Sequence, residues 1–117
     1  MSHRIAARGL AAALATVLLN ACFLAPPVSI GKKDSLLGQG AVIVITNTSD
    51  EHLHDVTVEI ESPSGEVRRY VEPTLDPHDS MTVGWLKLEG WPIPEGAEVT
   101  VSCKDYPLSA GPFKVPS

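Results

Sequence analysis

The chain has 117 residues, a formal net charge of −5 and two cysteines, Cys22 and Cys103. That length holds one small domain. Its basic residues are scattered, with Lys32-Lys33 and Arg68-Arg69 the only adjacent pairs, which is too little for a phosphate-binding groove and excludes nucleic acid as an expected partner.

The first segment reads MSHRIAARGLAAALATVLLNAC. Arg4 and Arg8 precede a run from Gly9 to Leu19 that carries no charge and one polar side chain, Thr16. A basic start, an apolar stretch of about 7–15 residues and a small residue at the cut form a secretory signal, so residues 1–21 are predicted to be removed. An uncleaved membrane helix is the competing reading. Extending the run to Ala25 gives 17 residues interrupted by Asn20. That is short of the roughly 20 that span hydrocarbon, and Pro26-Pro27 stop a helix there.

Leu19-Asn20-Ala21-Cys22 resembles the bacterial lipobox, with Leu three residues before the acylated Cys and a small residue just before it. The resemblance implies an acyl anchor at Cys22, and hence a membrane partner. Each buried CH₂ of such an anchor contributes about 0.8 kcal/mol. Phe23 stands where lipoproteins retained in the inner membrane carry Asp. The implied location is therefore the cell envelope, as an outer-membrane lipoprotein facing the periplasm or the cell surface. A soluble secreted product and an inner-membrane-anchored one are the alternatives. Without the leader, 7 basic residues face 14 acidic ones, a net charge of −7. An acylated Cys22 cannot pair with Cys103, which then reads as a small buried apolar residue.

Residues 22–40 continue as FLAPPVSIGKKDSLLGQG after the Cys, mixing proline, glycine and lysine with no sustained period. This predicts a tether, stiff at Pro26-Pro27 and flexible toward Gly38 and Gly40. From Ala41 short β-branched runs alternate with turn residues, and a β domain is predicted over 41–106. AVIVIT is continuously apolar and suits the centre of a sheet, ending in the turn NTSD. DVTVEIE turns Val56, Val58 and Ile60 to one face. A four-residue SPSG loop pairs Glu61 with Glu66, which sets Val56 opposite Val71 and Ile60 opposite Val67 and turns Arg69 inward beside Val58.

TLDPHDS forms a corner at Pro77. MTVGW resumes the alternation with Met81, Val83 and Trp85 inward. GWPIPEG is irregular because Pro92 and Pro94 cannot donate to a ladder. AEVTVSC places Ala97, Val99, Val101 and Cys103 on one face, and residues 107–117 form a tail or a last edge strand. The fold predicted is all-β, a small immunoglobulin-like sandwich of five to seven antiparallel strands after a helical signal segment.

ITNTSDEHLHDVTVEI and LDPHDSMTVGW resemble segments of the immunoglobulin-like and fibronectin-III-like modules of bacterial exported proteins, including the FxLYD type. His78 stands where their corner carries Gly, and the Phe-x-Leu-Tyr-Asp signature is absent. By analogy the likeness implies a binding or assembly module.

His52 and His54 form an H-x-H pair that an extended strand turns to one side. His78 is the nearest third imidazole that could complete a metal site with them. The plainer reading is a hydrated loop. Trp85 is read as core, and Trp91, between Gly90 and Pro92, is the better placed of the two tryptophans for exposure, although a packing role is favoured for it too in so small a domain. Trp91 and Tyr70 are the candidate contacts for a ligand, such as a glycan, or for a partner protein. No G-x-S-x-G, Walker loop, H-E-x-x-H or C-x-x-C occurs, so neither an enzyme nor a cofactor is expected. The sequence thus points to a non-catalytic interaction or assembly module, anchored to the envelope or secreted. Carbohydrate binding through exposed aromatics and metal binding through His52 and His54 are the alternatives.

Overall fold

A computed structural model describes residues 24–35 and 39–117. The signal segment, Cys22 and residues 36–38 lie outside the described residues. Among the described residues the fold is all-β, with seven antiparallel strands in two sheets, the upper limit of the predicted range. They are β1 (Val28–Asp34), β2 (Ala41–Asn47), β3 (Leu53–Glu61), β4 (Val67–Leu75), β5 (Ser80–Val83), β6 (Glu98–Ser102) and β7 (Ala110–Lys114). One sheet has the order β1-β2-β5 and the other β4-β3-β6-β7.

The core lies between the sheets. Ile43, Ile45 and Val83 from the first sheet meet Val56, Val58, Ile60, Val99 and Val101 from the second, all with no residual exposure. AVIVIT is the central strand of its sheet, as its apolar run requires. Cys103 and Ala97 are buried at the two ends of β6.

Three expectations are corrected. The tether over 22–40 is in part a strand: β1 pairs along its whole length with β2, from Val28 beside Asn47 to Asp34 beside Ala41. Val28 and Ile30 pack against the core, but Gly31 and the two lysines interrupt the apolar pattern that would have marked a strand. The domain therefore starts well before Ala41. At the other terminus, β7 pairs with β6 as a last edge strand.

The register of β3 and β4 is shifted by one residue from the predicted one. Glu61 pairs with Val67, Ile60 with Arg68 and Glu59 with Arg69. Glu66 closes the loop instead of opening the strand: its N–H donates to Ser62 Oγ at 3.0 Å and its carbonyl accepts from the Ser62 N–H at 2.8 Å. Gly65, at φ +93°, provides the left-handed step that this five-residue loop needs. Arg69 accordingly points outward, and Val71 is 52% exposed. Arg68, Tyr70 and Glu72 take the inner side, which an edge strand tolerates where long stems lie along the margin of the core.

Trp85 is not a core residue. β5 ends at Val83, and the chain then turns through Gly84–Gly90, where Gly90 N–H donates to Trp85 O at 2.7 Å. Leu88 is the buried residue of this turn, while Leu86 stays 73% exposed.

Candidate functional site

The strands run between two ends of different chemistry. At the near end, where the chain arrives through Leu24 to Pro27, the N–H and hydroxyl of Thr48 both donate to Pro27 O at 2.9 Å. Leu108 N–H donates to Leu24 O at 2.9 Å. Asn47 is the hub of this end and fully buried. Its Nδ2 donates to the carbonyls of Glu51 (2.7 Å), Leu75 (3.1 Å) and Asp76 (3.1 Å), and its Oδ1 accepts from the Ser49 N–H (2.9 Å) and hydroxyl (2.8 Å). One amide thus ties the β2–β3 loop to the β4–β5 corner. Two donor hydrogens serve three carbonyls, so one of them is shared.

The histidines ride on this hub. His52 Nδ1 lies 2.9 Å from Asp76 Oδ1, and His78 Nε2 lies 2.6 Å from Asp50 Oδ1, so each imidazole bridges the two loops to a carboxylate. Both pairs are solvent-exposed. His78 adopts φ +59°, a left-handed conformation that Gly takes freely and His tolerates better than most residues. His54 lies on β3, paired with Thr74, while His52 precedes the strand. The H-x-H pair is therefore not a matched pair on one strand. Among the described residues no three His, Cys, Asp or Glu side chains converge as a metal site would need.

Also at this end, Cys103 is buried, which pushes its thiol up to about 11. Such a thiol is a packing residue and a poor nucleophile at neutral pH. Tyr106 is raised as well, first by burial and then by Glu51.

At the far end the two aromatics that were candidate ligand contacts are occupied by the protein itself, Trp91 in the packing role favoured for it. Trp91 packs against the core with the Arg68 guanidinium 5.2 Å from its ring centroid. Tyr70 also packs on the core. Lys87 Nζ lies 5.1 Å from its ring, and its hydroxyl donates to Glu72 at 2.8 Å. The Glu72 carboxylate and burial together raise the Tyr70 phenol above its ordinary pKa. These contacts seal the open margin of β4 and leave neither ring as a free platform.

The open surface lies elsewhere. A cleft of about 500 Å³ runs over the outer face of the β1-β2-β5 sheet, with Val42, Thr82, Gly84, Trp85 and Leu86 forming its mostly apolar wall and Lys33 and Asp34 its charged rim. Sequence reasoning missed it by extending the alternation of β5 through Trp85. The signal was Gly84: a glycine after Val83 and a second at Gly90 bracket a turn, which takes Trp85 off the strand.

Fold and surface together define a small antiparallel β-sandwich with one polar, cross-tied end and one open apolar face. Compared with known proteins, the chain matches no family model, no curated protein and no solved structure.

Proposed function

We propose that the chain is a non-catalytic interaction or assembly module of the bacterial envelope, attached through an acyl group on Cys22. The observation that carries the reading is the fixation of Leu24 and Pro27 to the near end by the Leu108 and Thr48 bonds. An anchor two residues upstream holds the domain by that end, close to the membrane and without a long tether. The cleft face then stands along the side of the domain, open to a neighbour.

The near end carries Asp50, Glu51, Asp76, Asp79 and Asp105, so an anionic lipid surface repels it. The domain is held there by its anchor and not by its charge. Carbohydrate recognition through Trp91 and Tyr70 draws no support from rings already stacked under Arg68 and Lys87. Metal recognition draws none from imidazoles paired singly with carboxylates.

The test is intact-mass measurement of membrane-extracted protein with Cys22 and with Cys22→Ser. The expected result is a lipid-sized excess mass on the former and salt release of the latter. Equal processing of both, with salt releasing both, rejects the anchor.

A further inference from the structure

The chain enters and leaves the sandwich at opposite ends. β1 runs from the near end to the far end, with Val28 beside Asn47 and Asp34 beside Ala41. β7 runs the same way, with Ala110 beside Val101 and then Lys114 beside Glu98. Both are edge strands, one in each sheet, and they meet at one margin of the sandwich. Each point of passage is fastened outside the ladders. At entry, Leu24 O accepts from Leu108 N–H, and Pro27 O accepts from both the N–H and the hydroxyl of Thr48, all at 2.9 Å. At exit, Val115 is a buried plug. Its N–H donates to Ala97 O at 2.8 Å, and its carbonyl accepts from Gly96 N–H at 2.9 Å.

We propose that the sandwich bears tension along its strands, between the attachment at its near end and a load at its far end, with β1 and β7 as the loaded strands. The proposal deepens the reading of an envelope-attached module and rests on its N-terminal attachment. The hydrogen bonds of an antiparallel ladder lie perpendicular to the strands. A pull on Leu24 out of the near end therefore shears all seven pairs of β1 with β2 together. A pull across the strands opens the same pairs one at a time. Slippage gives no easy escape, because a shift by one residue turns Val28 and Ile30 from the core to solvent.

At the far end, a pull beyond Val115 shears β7 against β6 in the same way, and the Val115 side chain must leave the core with it. Between the two loaded strands the sheets are tied at both ends. The Asn47 amide joins β2 to the β4–β5 corner, and Ala41 N–H donates to Ile93 O at 3.1 Å. Forced unfolding is governed by the rate of unfolding and not by the net stability. A domain this small can therefore be strong along one axis.

The test pulls single molecules of the full chain carrying Cys22→Ser. In the first geometry the handles are ligated to the two termini, which loads β1 and β7 along their axes. In the second, one handle stays at the N-terminus and the other moves to Glu51→Cys, an exposed position at the near end. That pull peels β1 from β2, beginning at Val28 beside Asn47. At equal loading rate the first geometry should need at least about twice the force of the second and should give way in one step, because its ladder pairs fail together. Val115→Ala should lower the force of the first geometry and leave the first rupture of the second unchanged. Equal forces in the two geometries, a stepwise loss of β1 in the first, or a Val115→Ala chain as strong as its parent overturns the proposal. The handles sit on the polypeptide, so these forces are read independently of acylation. Equal processing of the Cys22 and Cys22→Ser proteins rejects the anchor and leaves the forces as they are.

Discussion

The two ends of the sandwich are held by different physics. At the near end a single buried amide, Asn47, gathers three carbonyls and two Ser49 donors, and exposed His–Asp pairs add to the same cross-tie. At the far end the closing contacts are rings and long stems, with Arg68 on Trp91 and Lys87 on Tyr70, beside a cleft that is open among the described residues. A buried polar hub is directional and all-or-none, because removing it strands its partners. Stacked aliphatic stems over rings are graded and tolerate loss. The directional ties are thus concentrated at the end away from the open apolar face.

Asn47→Ala is the most direct way to break that contrast. It leaves the carbonyls of Leu75 and Asp76 without their donor in a buried site, and stranded acceptors cost about 1–3 kcal/mol each. A loss of about 3 kcal/mol is expected in urea unfolding. Asn47→Asp should be no better, since it offers acceptors where donors are needed. A loss under about 1 kcal/mol would mean that the hub is not what ties the loops.

The far end yields the next effect. Trp91→Ala removes a half-buried ring and its cation–π partner and should cost about 2 kcal/mol. Trp85→Ala, on the cleft wall, should cost less than about 1 kcal/mol. Equal losses at the two tryptophans would return Trp85 to the core and close the cleft.

Alkaline pH sharpens the contrast through Cys103. Burial lifts its thiol from 9.0 to about 11. Between those values the unfolded chain has released the proton that the folded chain still holds, so stability falls as pH rises through that window and is fully present below it. The expected loss is roughly 1–2 kcal/mol by the upper end. In Cys103→Ala the fall should be shallower, and what remains above pH 10 is that of Tyr106 and Tyr70, whose folded values are also raised. An unchanged slope in Cys103→Ala would remove the thiol from the account.

The fold was legible wherever side chains alternate on a buried face. Val56, Val58 and Ile60 on β3, and Ala97 to Cys103 along β6, are buried as their spacing requires. β1 was hidden because a strand needs only Val28 and Ile30 to grip the core when β2 supplies the rest of the ladder. Asn47 reads as a turn residue in NTSD, and no local pattern tells that its amide will serve Leu75 and Asp76, some thirty residues away. The cleft was illegible for a related reason. Its wall joins β2 to the turn after β5, and only topology brings Val42 beside Trp85.

The smallest predicted effect decides the register on which the β4 margin depends. Glu59 accepts from Arg69 Nε at 2.7 Å on the outer face, while Arg68 lies on the inner side over Trp91. In double-mutant cycles with alanine, Glu59 and Arg69 should couple by about 0.5 kcal/mol, as exposed pairs do, and Glu59 and Arg68 by nearly zero. Taken singly, Arg68→Ala should cost more than Arg69→Ala, because it also uncovers the Trp91 ring, a contact worth about 0.5–1 kcal/mol. The reverse ordering, with Glu59 coupled to Arg68, would restore the four-residue loop, turn Val71 inward, and leave Trp91 and Tyr70 free for a ligand.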